Sequence, residues 1–411
     1  MKLFPSACLA VALCLSATAP AQDWPGWRGA KRDGISTETG LLEQWPAGGP
    51  KLAWKATGLG GGFSSVSMVG NRIYTMGDGP SDLFVHALDR ATGKIVWSTK
   101  VGLPGGHRGY PGPRSTPTVD GDSLYVLTQH GDVICLGTAN GEIRWQKNLE
   151  KDFGGRMMSG WRYSESPLVD GDKVVVTPGG AEGAILALNK QTGAVVWRTK
   201  EFTDPAAYSS LVPVTIGGTA QYLQFTGQSV VGVASASGKV LWRADRPGKT
   251  AVIPTPVYKD NHVFVTSGYR VGCNLFKISG SGNTFKAEQV YANTDMQVHH
   301  GGVILVGDYV YGASDPGILT CMEMKTGKVM WSDRSVGKGA LAYADGHLYL
   351  RSEGKGEVAL VEATPAGYKE KGRFTQPDRT TRQAWPHPVV AGGKLYLRDQ
   401  DLLFCYDVKG R

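Results

Sequence analysis

The chain has 411 residues, 57 of them glycine, and carries 44 basic against 36 acidic side chains for a formal charge of +8. Glycine at about twice the usual ~7%, with almost no helical periodicity, points to many tight turns and excludes a helical bundle. The positive excess is spread thinly, with no basic tract, which argues for a cationic surface and against specific nucleic-acid binding.

The first residues read as a secretory signal. Lys2 supplies the positive end, residues 9–15 form the core of a short apolar run, and Ala19 and Ala21 precede a cut before Gln22. The run is shorter than the ~20 residues of a spanning helix. Cys8 comes too early for a lipid-attachment site, and Cys14 follows bulky Leu13. The expected organisation is a signal at 1–21, a lead-in segment at 22–49 and one domain at 50–411. No transmembrane anchor is expected, and the location is periplasmic or secreted.

From there the chain repeats. A glycine turn and a short strand closed by tryptophan recur as TGKIVW at Trp97, NGEIRW at Trp145, TGAVVW at Trp197, SGKVLW at Trp242 and TGKVMW at Trp331. Steps of 45–52 residues, with a double step before Trp331, are the period of β-propeller blades. Runs such as TPTVDGDSLYVLT and SPLVDGDKVVVT alternate apolar and polar residues on both sides of Gly/Asp turns, the pattern of hairpins.

A second marker fixes the register. Tyr74, Tyr125, Phe264, Tyr311, Tyr349 and Tyr396 end the second-strand hairpins, with Val175 and Tyr222 at the other two places. That gives eight units, seven being the competing count. Unit five carries SGNTFKAEQVYA in place of the closing motif, and in unit seven Phe374 is expected to stand in for tryptophan. Unit eight stops after CYDVKG, where an outer strand is due. PKLAWKA, with Trp54, is available to complete it and remove the open edge. The expected fold is therefore all-β: an eight-bladed propeller of four-stranded antiparallel blades, closed by pairing of its N- and C-terminal strands. The closing tryptophans read as packing between blades, not as ligand platforms.

Cys135 and Cys321 lie ten residues before a closing tryptophan, the place held elsewhere by Ala87 and Ala187, and Cys405 falls at the same place in the last unit. Small residues there indicate crowded strands. With Cys273, the expectation is four buried free thiols, since cysteines in separate blades lie too far apart to pair. No metal or catalytic thiol spacing is present.

Counting eleven residues back from each register position, and twelve from Tyr222, gives the expected start of each inner strand. These are Phe63, Arg114, Ser164 and Ser210 in the first half, then Ile253, His300, Lys338 and Trp385. Around them lie Arg108, Trp161, Tyr163, Glu165, His299 and His387. The candidate ligand site is thus an axial funnel built from Arg108, Arg114, Trp161, Tyr163, Glu165, His300, Lys338, Trp385 and His387. Arginine offers a bidentate fork for an anion, and tryptophan and tyrosine offer flat apolar platforms. The competing reading is a polar mouth satisfied by loops and water. A speculative catalytic set has Glu165 as base, Tyr163 as acid and His300 beside them. Adjacent His299 and His300 on a strand point to opposite faces and make poor partners for one metal unless a bulge intervenes. No GxSxG, HExxH, GxGxxG or EF-hand spacing occurs, and VDGD lacks the further ligand positions of a calcium loop.

TPTVDGDSLYVLTQHGDVICLGTANGEIRW resembles the repeat of pyrroloquinoline-quinone-like (quinoprotein-type) β-propellers, and DWPGWRGAKRDGIS is similar to the N-terminal segment of exported bacterial members. The resemblance covers roughly residues 23–411. It implies either a quinoprotein dehydrogenase or a scaffold such as the eight-bladed outer-membrane assembly lipoprotein BamB, which the chain resembles in size and blade number. The dehydrogenases hold quinone between a tryptophan and a disulfide of adjacent cysteines, with an aspartate base and a calcium held by Glu, Asn and Asp. No adjacent cysteines occur here, and no position matches the calcium set or the base. No cofactor is therefore expected, pyrroloquinoline quinone with calcium being the unsupported alternative. The expected role is an exported non-catalytic binding or scaffold propeller of the bacterial cell envelope, a monomer whose partner is an envelope protein, a glycan or a small anion. The alternative is a carbohydrate- or alcohol-acting enzyme, a quinone-dependent oxidoreductase or a lyase, at the funnel.

Overall fold

The computed structural model describes residues 22–410; the expected signal at 1–21 lies outside the described residues. Among the described residues, strands form eight four-stranded antiparallel sheets and one two-stranded hairpin. Blade 1 is built from Ser67–Val69, Arg72–Asp78, Leu83–Asp89 and Ile95–Gly102, running from axis to rim. Blades 2 to 7 follow in chain order at 118–148, 168–198, 212–245, 257–293, 298–333 and 339–375.

Blade 8 closes the ring as its truncated sequence requires. Val389–Ala391, Lys394–Asp399 and Leu402–Asp407 supply three strands, and Lys51–Ala56 pairs antiparallel with the last. Trp54 stands opposite Cys405, the relation of Trp145 to Cys135 and of Trp331 to Cys321. The ten-residue phase is thus a cross-strand pair: a small residue on the third strand lies opposite the tryptophan of the fourth. All four described cysteines are buried and free.

Trp97, Trp145 and Trp331 each pack near the register tyrosine of their own blade and against a turn of the next, whereas Trp197 packs near Tyr222 of the next blade and Trp242 Nε1 donates to Gln221 Oε1 of its own. Ring centroids are 6.0 Å apart for Tyr74–Trp97 and 6.1 Å for Tyr125–Trp145. Trp97 Nε1 donates to Thr138 O at 3.1 Å, and Trp145 Nε1 to Lys190 O at 2.9 Å. A turn glycine under the rings of Trp54, Trp97, Trp145 and Trp197 explains the TG, NG and SG before the outer strand. A Cβ on Gly141 (φ 72°) would lie 2.6 Å from Trp97, and one on Gly193 (φ 69°) 2.9 Å from Trp145. Both the left-handed backbone and the overlying ring require glycine there.

Unit five uses Tyr291 in the closing place, opposite Leu275, with its hydroxyl donating to Met324 O at 2.7 Å. Unit seven departs from the sequence expectation. Gly372 occupies the closing register opposite Leu360, whereas Phe374 pairs with Val358 two residues on. The vacant volume is filled from the lead-in segment. Trp45, 4% exposed, lies 5.9 Å from Tyr349 and 5.4 Å from Phe374, and a Cβ on Gly372 would collide with it at 2.5 Å.

The rest of the lead-in segment crosses the axis. Trp24 exchanges backbone hydrogen bonds with Met68 of blade 1, and Val119 N of blade 2 donates to Pro25 O. Arg32 donates to Ser166 O and Pro167 O of blade 3, and Trp27 Nε1 donates to Thr255 Oγ1 of blade 5. Arg28 reaches Val303 O of blade 6, and Ser36 N donates to Tyr343 O of blade 7. Bonds to blades on opposite sides of the ring make this segment a plug, so the propeller has a floor and not an open channel.

Candidate functional site

Above that floor lies a cavity of about 240 Å³. All eight register positions line it. Phe63, Arg114, Ser164 and Ser210 come from blades 1 to 4, and Ile253, His300, Lys338 and Trp385 from blades 5 to 8. Most sit in the irregular approach to the inner strand, a few residues before pairing begins. Equivalent positions of blades related by rotation lie at one level, so residues far apart in sequence meet at the axis.

Trp161 and His387 also line the cavity, as expected. Arg108, Tyr163 and Glu165 do not. Arg108 is exposed on a loop. Tyr163 and Glu165 flank Ser164 in an extended segment, so when Ser164 faces the axis they face away from it. Tyr163 is buried and donates its hydroxyl to Pro178 O at 3.0 Å. Glu165, 2% exposed, accepts from Thr177 N at 3.0 Å. Burial pushes its carboxyl up to about 8, against the Thr177 hydrogen bonds and the Arg32 charge. The expected acid–base set of Tyr163, Glu165 and His300 is therefore divided by the wall of the cup.

His299 and His300 both line the cavity, contrary to simple strand alternation. The pairing of their strand breaks between Val298 and Val303, and the bulge turns both rings inward. Gly302 permits it: φ is 68°, and a Cβ there would lie 2.1 Å from the Arg28 guanidinium beneath.

The two sides of the cup differ in chemistry. On one, Lys338 Nζ donates to His299 Nδ1 at 3.0 Å and lies 3.6 Å from Asp315 and 3.7 Å from Glu353. Glu353 accepts from Trp385 Nε1 at 2.9 Å. His300 lies against this group, its Nδ1 3.6 Å from Glu353, and neither ring nitrogen has a hydrogen-bond partner. Burial, then the charges of His299 and Lys338, hold His300 well below its ordinary range, so it is neutral. On the other side, Arg114 donates to Tyr110 O at 2.6 Å and Gly112 O at 3.3 Å, and Asp78 acts on it from beyond ion-pair distance. Its guanidinium lies 5.3 Å from the Phe63 ring and 5.8 Å from the Trp161 ring. Burial lowers it to about 10, which leaves it charged at neutral pH.

An aromatic belt joins the two sides. His107 stacks on Trp161 at 3.9 Å with the planes 4° apart, Tyr110 lies 5.3 Å from Trp161 and 5.1 Å from Trp385, and Phe63 stacks on Trp385 at 4.2 Å. His107 and Tyr110 belong to the hairpin Gly106–His107 and Tyr110–Pro111, a glycine-rich flap at the mouth. Asp78 holds this flap by accepting from Gly105 N at 2.7 Å.

Several of these residues escaped the sequence reading. Asp78, Asp315 and Glu353 each lie four residues beyond a register tyrosine, at Tyr74, Tyr311 and Tyr349, where the second strand returns to the mouth. That offset was a usable signal. Trp27, in the lead-in segment, and Tyr110, in the flap, lie outside the repeat and had none.

The donor set does not fit a calcium-bound quinone. Among the described residues, no group of three or more His, Cys, Asp or Glu side chains is placed to hold a metal ion. Asp315 and Glu353 are already engaged with Lys338, and the four cysteines lie within blade strands.

Comparison with known proteins agrees with this architecture. The family model described as outer membrane protein assembly factor BamB matches residues 81–333. The chain is 25% identical over 419 residues to the outer membrane protein assembly factor BamB of Burkholderia pseudomallei, covering 97% of this chain and 95% of that protein. Among solved structures, BamB from Moraxella catarrhalis superposes with a TM-score of 0.56 at 15% identity, over 82% of this chain and 94% of that one. A quinohemoprotein alcohol dehydrogenase from Comamonas testosteroni reaches 0.64 at 13% identity, over 95% and 81%. These structural likenesses speak for the fold alone. With its family model matched over more than half its length, this eight-bladed chain belongs to the PQQ-repeat propeller family of the outer membrane protein assembly factor BamB.

Proposed function

We propose that the chain is an exported, non-catalytic binding or scaffold propeller of the bacterial cell envelope, whose partner is an envelope protein or glycan. The observation that carries this reading is the near end-to-end match to a protein named as an outer-membrane assembly factor. A closed ring with its axis plugged suits the role, since it presents rigid loops at both faces and completes its eighth blade with the strand Lys51–Ala56. Export rests on the N-terminal pattern of Lys2, the apolar run and Ala19-x-Ala21. Among the described residues, no helix is long and apolar enough to cross a membrane.

Two measurements test the proposal. N-terminal sequencing of the protein from cells should begin at Gln22, and cross-linking in intact cells should return the same envelope protein or glycan reproducibly. An intact chain starting at Met1 and found in the cytosol would overturn the location. Sustained oxidation or cleavage of a sugar or alcohol by the purified protein, supplied with pyrroloquinoline quinone and calcium, would overturn the non-catalytic reading.

A further inference from the structure

We infer that the axial cup is a binding site for an acidic monosaccharide unit, a pyranose ring carrying a carboxylate. The inference rests on the binding role proposed above and names the ligand class of its central cavity.

Four observations converge on that class. Arg114 is a partly buried guanidinium bonded only to the backbone carbonyls of Tyr110 and Gly112, with the Phe63 and Trp161 rings close by. Asp78, the carboxylate that acts on Arg114 from beyond ion-pair distance, is itself engaged by Gly105 N and Gln129 Nε2, which leaves the free edge of the guanidinium for an anion that presents oxygens to it. The opposite wall interleaves donors and acceptors in the group Lys338, His299, Glu353 and Asp315. Vicinal hydroxyls, each both donor and acceptor, match such a wall; an apolar or purely anionic surface does not. His300, 7% exposed and lining the cup, has both ring nitrogens without a partner. In a neutral imidazole those are one donor and one acceptor that point apart, which two neighbouring hydroxyl groups satisfy, and leaving them unmet is costly. Between the walls, Trp161, Tyr110 and Trp385 line the cup with aromatic surface for the apolar C–H face of a pyranose.

Charge sets the orientation. Arg114 lines the cup and Asp78 does not, whereas Lys338 and Glu353 line it and, with Asp315, sum to one negative charge. The carboxylate therefore points to Arg114 and the hydroxyls to Glu353 and His300. At about 240 Å³, the cavity lies below the roughly 300–1,000 Å³ of drug-sized pockets and suits a single sugar unit.

The test is a titration of the purified exported protein with sodium glucuronate, galacturonate and N-acetylmuramate, followed by calorimetry and by tryptophan fluorescence. The neutral methyl ester of glucuronate, glucose and glutamate serve as comparators. Saturable binding of at least one acidic sugar is expected, with its ester or neutral counterpart weaker by roughly 10- to 100-fold, the loss of one charge-assisted bond. Arg114→Gln should abolish that preference while the melting temperature stays put, and His300→Phe should weaken every sugar. The ester comparison on the unaltered protein stands whether or not a variant folds. The inference is overturned if no acidic sugar saturates, if glucose binds as tightly as glucuronate, or if glutamate matches both. Cup binding is read on isolated protein and envelope partnership in cells, so either can fail without the other.

Discussion

Replacing Trp45 by alanine should be among the most damaging single changes outside the blades themselves. Trp45 belongs to the lead-in segment, yet it occupies the place that a closing tryptophan fills in other blades, over Gly372 and between Tyr349 and Phe374. At 4% exposure it buries nearly its whole side chain. Truncation of a buried tryptophan costs about 3–5 kcal/mol. The upper part of that range applies here, because Gly372 opposite has no side chain with which to refill the hole. Trp97, only half-buried, should cost less when truncated. A finer contrast comes from phenylalanine. Trp45 Nε1 has no hydrogen-bond partner, whereas Trp145 Nε1 donates to Lys190 O. Trp145→Phe should therefore lose about 1 kcal/mol more than Trp45→Phe, beyond the similar change in volume. Urea denaturation read by far-ultraviolet circular dichroism measures each difference, provided the transition is single and coincides by fluorescence. If Trp45→Ala loses less than about 1 kcal/mol, the idea that blade 7 is completed by the lead-in segment is wrong.

Other consequences follow from the buried titratable groups. Glu165 is protonated up to about pH 8 in the folded chain, against an ordinary value of 4.5. The unfolded chain binds fewer protons between those values, so this group lowers stability as pH rises from 4.5 to 8, by about 1.4 kcal/mol per unit. Glu165→Gln should remove that slope in denaturation at pH 5 and 8, and an unchanged slope refutes it. Burial and then the Arg28 charge hold His387 down at about 3, against an ordinary 6.5. Its contribution is intact above pH 6.5 and is lost as pH falls towards 3, so His387→Gln should flatten acid destabilisation below pH 6.5; an equal acid slope in the variant counts against a neutral His387. Burial raises the thiols of Cys273 and Cys405 to about 12 and that of Cys321 to about 11, and raises Cys135 as well. A thiol reagent should react slowly with the native exported chain and titrate four thiols after denaturation. Rapid native labelling, or fewer than four thiols without a reductant, contradicts that packing.

How much of this was legible in the sequence depended on periodicity. The closing tryptophans, their ten-residue partners and the missing outer strand of unit eight all repeat, and repetition in sequence becomes rotation in space. The same logic carried Arg114, His300, Lys338 and Trp385 to one cavity. It failed where a residue's direction depends on local backbone. Tyr163 and Glu165 alternate away from Ser164, and the bulge at Val298–Val303 turns His299 inward with His300. It also failed where a position is filled from outside the repeat. Neither Trp45 under blade 7 nor Trp27 in the floor of the cup has a partner at fixed spacing, and only the path of the chain across the axis places them.

The central claim is that the plugged cup binds without transforming what it binds. Calorimetric titration with glucuronate, followed by mass spectrometry and nuclear magnetic resonance of the ligand recovered after prolonged incubation, tests both halves in one sample. The account predicts saturable heat that requires Arg114 and a ligand recovered chemically unchanged. An oxidised, cleaved or dehydrated product would contradict it, and so would a titration without saturable heat.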